Sequence, residues 1–272
     1  RVIGAIVIGA ALGIAGAMIQ GMTKNPLADP GLLGITSGAA MALTIGYAFS
    51  ATISFIGLTA ISFTGALFGI VLVIGLSLFS REKLSTFTLL LVGASVSMFL
   101  LALSQGIGLY FNVTKNVNMW TSGGLSATGW DQLMIITPML GLSLLVGVLL
   151  SKEITLLSLN EDLAVALGQK VRRTKIILMV VIALLTGISV ALAGNLAFVG
   201  LMIPHLVRRV VGFDYKRIIP ASIIIGGMFM MLADLLARMI YRPYEIPLVA
   251  VVSVMGLPFF LVIVNRQKGG AL

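Results

Sequence analysis

SLNEDLAVALGQKVRRTK, Ser158 to Lys175, is the only long polar stretch in a chain that is otherwise apolar from end to end. Ser158 and Glu161 have the spacing of a capping box, and Glu161 and Asp162 place negative charge in the first turn of a helix. Leu159, Leu163, Ala166 and Leu167 recur at i, i+4, i+7 and i+8 and would share one apolar face. Gly168 is placed to end that helix, and Arg172, Arg173 and Lys175 begin the return of the chain. A short amphipathic helix on basic ground is a docking surface for a soluble partner. A capped surface loop is the other reading of the same pattern.

The rest of the chain says what this segment stands outside of. Of 272 residues, 59% are hydrophobic and only 10% charged, and the mean hydropathy is +1.13. Soluble domains carry about 25% charged residues, so this is an integral membrane protein. Runs long enough to span lipid occur at roughly 2–20, 31–49, 53–79, 85–111, 132–150, 175–193, 196–211, 218–240 and 247–264. The expectation is an all-α, polytopic bundle of nine spans, one permease domain over 1–272. Of the 18 Lys and Arg residues, 14 fall in one set of alternate loops, and only Arg1, Lys115, Arg238 and Arg242 in the other. The positive-inside rule makes the first set cytoplasmic, with the C-terminus and the 158–175 segment on that side. The net charge of +9 therefore belongs to membrane-flanking loops, and no nucleic-acid partner is expected.

Gly9–Gly13, Gly34–Gly38 and Gly65–Gly69 are GxxxG pairs that allow close helix approach. ALGIAG (Ala11 to Gly16) is followed ten residues on by Pro26, and VALAG (Val190 to Gly194) ten residues on by Pro204. The two helices lie five spans apart and so run in opposite directions, as in the inverted repeats of transporters.

Catalytic chemistry is absent from the pattern. There is no cysteine, one histidine (His205), no GxxxxGK[ST] loop and no HExxH, so neither cofactor nor metal site is expected. Asp234 is the only carboxylate deep in a span, and Arg238 four residues on can pair with it. A proton- or ion-coupling role for Asp234 is the alternative, which would make the chain an ion-coupled secondary transporter. Lys24 and Asp29 are expected to hold the Pro26–Pro30 turn at the cytoplasmic surface.

QGMTKNPLADPGLLGITSGAA (20–40), LSTFTLLLVGASVS (84–97), LNEDLAVALG (159–168), VALAGNLAFVGLMIPHLVRRVVGFDYK (190–216), LADLLAR (232–238) and EIPLVAVVSVMGLPFFL (245–261) follow in order over nearly the whole chain. In these the chain resembles FecCD/BtuC-type permeases, membrane subunits of type II ABC importers for iron-siderophores, haem and cobalamin. The resemblance implies ten helices, hence one before Arg1, and BtuC-like inverted repeats. It implies a second permease subunit, identical or not, two ABC ATPase subunits and an extracytoplasmic solute-binding protein, assembled in a bacterial cytoplasmic membrane. Iron-siderophore import by alternating access is the expected function, with haem or cobalamin as alternatives. The family's coupling helices match 158–170, which implicates Glu161, Leu163, Ala166, Leu167 and Gly168 in contact with the ATPase. Its cytoplasmic gates match Asn25 and Leu27, and Ser85, Thr86 and Phe87; Phe87 departs from the small polar residue of the cobalamin permease. Its outer arginines, partners of carboxylates on the binding protein, match Arg1 and Arg238, and charge alone adds Arg242.

Overall fold

In lipid every backbone N–H and C=O must be satisfied within the protein, which leaves an apolar run of spanning length only the helix. The computed structural model describes residues 1–50, 52–79, 86–125 and 128–268, with backbone alone for Thr86 and 259–268. Its described residues form α1 (Val2–Thr23), a 3-10 turn (Pro30–Leu33), α2 (Ile35–Phe49), α3 (Phe55–Phe79), α4 (Thr86–Tyr110), α5 (Thr114–Thr121) and α6 (Trp130–Leu149). They continue through α7 (Ser151–Leu159), α8 (Glu161–Ala166), α9 (Val171–Ala193), α10 (Val199–Val211), α11 (Tyr215–Met239) and α12 (Leu248–Lys268). Nine of these helices coincide with the nine expected spans.

Among the described residues six helices, α1, α3, α4, α6, α9 and α11, are long and apolar enough to cross a bilayer. By contrast α2 has 15 residues and α10 has 13, about 22 and 20 Å at 1.5 Å per residue, against a hydrocarbon core of about 30 Å. Irregular backbone completes both crossings: residues 24–34 before α2, and 194–198 before α10. Such backbone is tolerated at membrane depth only when protein covers it. Here Pro30 packs on Gly200 at the start of α10, and Gly200 in turn meets Gly16 of α1.

The helix lengths repeat. The series α1, α2, α3, α4 runs 22, 15, 25, 25 residues, and α9, α10, α11, α12 runs 23, 13, 25, 21. Arg1 at the start of α1 meets Asp234 and Glu245, at the far ends of α11 and its following loop. Lys24 at the end of α1 shares a cavity with Arg208 and Tyr215 at the opposite ends. Helix α1 therefore runs antiparallel to α11, and α9, which starts at the basic end beside Glu161, crosses in the sense opposite to α1. The first helix of each half forms the core: 78% of the apolar window is buried in both α1 and α9, against 28% in α4. Glycines set their spacing, since any Cβ on Gly9 would strike Gly226 of α11, and one on Gly38 would strike Gly65 of α3.

Two local expectations are corrected. Ser158 is not a helix cap; it lies in the last turn of α7, where its hydroxyl donates to the Thr155 carbonyl at 2.8 Å. Asn160 takes the cap instead: its extended backbone breaks α7 from α8, and its Oδ1 accepts the Asp162 N–H at 2.9 Å. Asp29 does not stay at the basic surface with Lys24. The chain turns inward after α1, and Asp29 lies beside Leu12, Thr186 and Gly200, near the middle of the bundle.

Candidate functional site

At the basic end, α8 is pinned at its start and free on its apolar face. Glu161 pairs with Lys175 of α9 at 2.7 Å, and the lysine side chain is almost wholly buried. Ala164 is fully buried, and Gln169 Nε2 donates to the Glu153 carbonyl at 3.1 Å. Gly168 takes a left-handed φ of 83° and returns its N–H to Val165, closing the last turn. What remains outward is Leu159, Leu163 and Leu167, 67, 49 and 63% exposed, with Ala166 beside them. Leucines held outward on a helix that is itself anchored make a rigid contact surface. Next to it a cavity of about 380 Å³ joins the ends of α1, α7 and α10 through Lys24, Pro26, Leu159 and Arg208.

Asn25 and Leu27 lie half-buried in the turn after α1, where Asn25 Oδ1 accepts the Leu27 N–H at 2.9 Å. Lys24 enters that turn with a φ of 53°. The following 3-10 turn rests its Leu32 carbonyl on Gly93 of α4. Phe87 lies six residues before Gly93, about 9 Å along the helix, and is 72% exposed. Thr86 opens α4, and Ser85 lies outside the described residues.

The opposite end carries an ion network larger than the expected pair. Arg238 Nη2 lies 2.7 Å from Asp234 Oδ2, and Arg1 Nε lies 3.2 Å from Oδ1 of the same carboxylate, which is buried. Arg1 also donates twice to Glu245, both at 2.8 Å. These hydrogen bonds hold the Glu245 carboxyl below the usual carboxylate range. Arg1 and Arg238 are thus engaged within the subunit, whereas Arg242 is exposed and has no hydrogen bond or ion pair among the described residues. Glu245 was missed in the sequence because a bidentate partner 244 positions away leaves no local trace. His205 lies in α10 with its ring nitrogen 3.3 Å from Arg209.

Two matched helical halves of opposite orientation, with an added, anchored amphipathic helix at one face, are the architecture of a membrane permease. The chain belongs to the FecCD transport family, whose profile spans residues 1–266, and is a multi-pass ABC-type transport subunit. It is 40% identical to the iron(3+)-hydroxamate import system permease protein FhuB of Bacillus subtilis (strain 168), over 99% of this chain and 70% of that one. It is also 40% identical to the iron-uptake system permease protein FeuB of the same organism, over 99% and 80%. Among solved structures, it matches an inward-facing ABC transporter assigned to the metal-chelate type with a TM-score of 0.88 and 29% identity, over 98% of this chain and 86% of the other.

Proposed function

We propose that this permease pairs with a second permease subunit to import a ferric siderophore across the bacterial cytoplasmic membrane, driven by two separate ABC ATPase subunits. The observation that carries this reading is α8, whose leucines face outward while Glu161 and Ala164 fix it to the bundle. An apolar surface exposed beside basic loops needs a protein partner; the match to a solved ABC transporter supports an ATPase in that place, and the relatives named for iron import support the cargo. The basic face is cytoplasmic by the charge rule, which puts the C-terminus inside and the Arg242 end toward a solute-binding protein. Asn25, Leu27 and Ser85 to Phe87 close the inner mouth of a path between the two permeases. ATP binding draws the ATPases together, α8 carries the movement into α9, and the path changes the side to which it opens. The permease breaks no bond itself.

Proteoliposomes holding the permease pair, the ATPase and the binding protein test this directly. Accumulation of a ferric siderophore should require ATP on the ATPase side and the binding protein on the other. Accumulation driven by an ion gradient without nucleotide would overturn the proposal in favour of a secondary transporter.

A further inference from the structure

One cavity within the subunit carries a group of polar side chains between the spanning helices α2 and α4 and the short α5. It measures about 280 Å³ and opens between α2, α4, α5 and the 194–198 connection. Its lining includes Thr36, Ser97, Gln105, Asn118, Thr121 and Asn195. The Ser97 hydroxyl is buried without a hydrogen-bond partner. In the small adjoining cavity, which shares Thr36 and Asn195, the hydroxyl of the buried Thr186 is likewise unpartnered. The side-chain amides of Gln105, Asn118 and Asn195 are exposed and have no hydrogen bonds among the described residues.

Unpaired amides and hydroxyls on a spanning helix do not face lipid without a cost of kcal/mol size. Ser97 and Gln105 therefore mark the face of α4 that looks onto water or cargo. Along that helix they lie 10 and 18 residues beyond Phe87, about 15 and 27 Å from the proposed inner gate. If Phe87 stands at the inner gate as proposed, the cavity lies well above it along α4.

Its charge is as informative as its polarity. Among the described residues no Lys or Arg lines it, and the adjoining cavity carries the Asp29 carboxylate. An anionic chelate leaving water here would meet no counter-charge in the lining and one like charge in the adjoining cavity, a combination penalised at low dielectric. A neutral chelate edged with amides would find donors and acceptors for both its N–H and C=O groups. The volume falls just below the range of about 300–1,000 Å³ for whole drug-sized ligands, so it takes one edge of a siderophore and leaves the rest in the path.

We propose that this cavity is a cargo subsite that selects neutral, amide-edged ferric hydroxamates over anionic ferric catecholates. The inference rests on the importer reading above. Trp120 adjoins Thr121 and serves as a reporter, because a ferric chelate quenches a nearby indole. In a Trp130→Phe background, the transporter assembled with its ATPase in nanodiscs would be titrated with ferrichrome, a neutral trihydroxamate, and with ferric enterobactin, a trianionic tricatecholate. Ferrichrome should quench saturably, and ferric enterobactin should require on the order of tenfold more or greater. Gln105→Ala with Asn118→Ala should raise the ferrichrome half-saturation by a similar factor, and Gln105→Lys should narrow the preference by favouring the anion. Equal response to both chelates, or an unchanged half-saturation in the double variant, overturns the subsite. The same preparations with binding protein, assayed for ATP-driven uptake, separate the two readings. Wild-type uptake of ferrichrome with unaltered variants removes the subsite and leaves the importer standing. Failure of the wild type to take up either chelate removes the importer reading and the subsite with it.

Discussion

Replacing Leu163 tests whether α8 is the point at which the ATPase grips the subunit. Fully burying a leucine is worth about 1.5–3 kcal/mol. Leu163 is already about half-buried within the subunit, so docking has about 1 kcal/mol left to gain at each interface. Leu163→Ala should therefore weaken ATPase binding about fivefold, at 1.4 kcal/mol per factor of ten. Leu163→Glu should do far more, because it also forces an unpaired carboxylate into an apolar contact at a cost of several kcal/mol. Neither change should disturb the subunit itself by more than about 0.5 kcal/mol, the usual range for exposed positions. Thermal unfolding of the purified permease, recovery of ATPase on affinity purification and ATP-driven uptake together read the three terms. Wild-type recovery and uptake in Leu163→Glu would refute the assignment. A collapse of the subunit's own melting temperature would show instead that Leu163 belongs to the core.

Cysteines at Asn25 and Phe87, in a chain with no native cysteine, should crosslink between protomers with a yield that changes on ATP binding; a yield blind to nucleotide would reduce both to helix-end residues. Asp234→Asn should destabilise the subunit by about 1–3 kcal/mol, less than the 3–5 of a fully buried broken pair, because Arg1 and Arg238 both still reach water; an unchanged melting temperature would refute that weight. The depressed Glu245 pKa gives stability that is complete above the unfolded carboxylate value near 4.3 and is lost as pH falls through the lower folded one. Glu245→Gln and wild type should therefore differ at pH 7 and converge only in strong acid, and a difference that vanished by pH 6 would exclude the bridge as its source. Lys175→Met removes the tether between α9 and α8, so ATP hydrolysis should continue while uptake falls; full uptake would show that the tether carries no movement.

The nine spans were legible because an apolar run of about 20 residues has one stable form in lipid. Their ends were less so. The spans expected at 31–49 and 196–211 begin in what proves to be 3-10 turn and irregular backbone. Hydropathy does not separate a helix from a covered non-helical strand of chain at the same depth. The short α5, TKNVNMWT, and α7, SKEITLLSL, left no spanning signal, being brief and polar at one end. Ser158 and Asn160 are both good capping residues two positions apart, and only the extended backbone at Asn160 decides between them. At the candidate site, Leu163 and Leu167 were readable from periodicity. The Arg1–Glu245 contact and the Thr36–Gln105–Asn118 cavity join segments far apart in sequence, and no pattern within either segment announces them.

The places where the repeat fails are as informative as the repeat. Helices α1 to α4 match α9 to α12 in order and length, but α7 and α8 have no counterpart among the described helices of the first half. An inverted repeat alone gives two faces of similar shape, and so no reason for cargo to move one way. The added helices stand only at the end that carries Lys24 and Arg208. Through Glu161 and Lys175 they reach α9, one of the two most buried helices. Further along, α9 supplies Thr186 and Val190 to the cavity beside Asp29. One rigid helix thus joins the exposed α8 surface, proposed above as the ATPase contact, with the polar interior about 20 Å away, at 1.5 Å for each of roughly 11–15 residues. Because α9 also packs against α1, its displacement is shared with the corresponding helix of the other half. On the proposed reading, energy delivered at the α8 face would be felt by both halves, and the asymmetry of α7 and α8 would supply a direction that the paired halves lack.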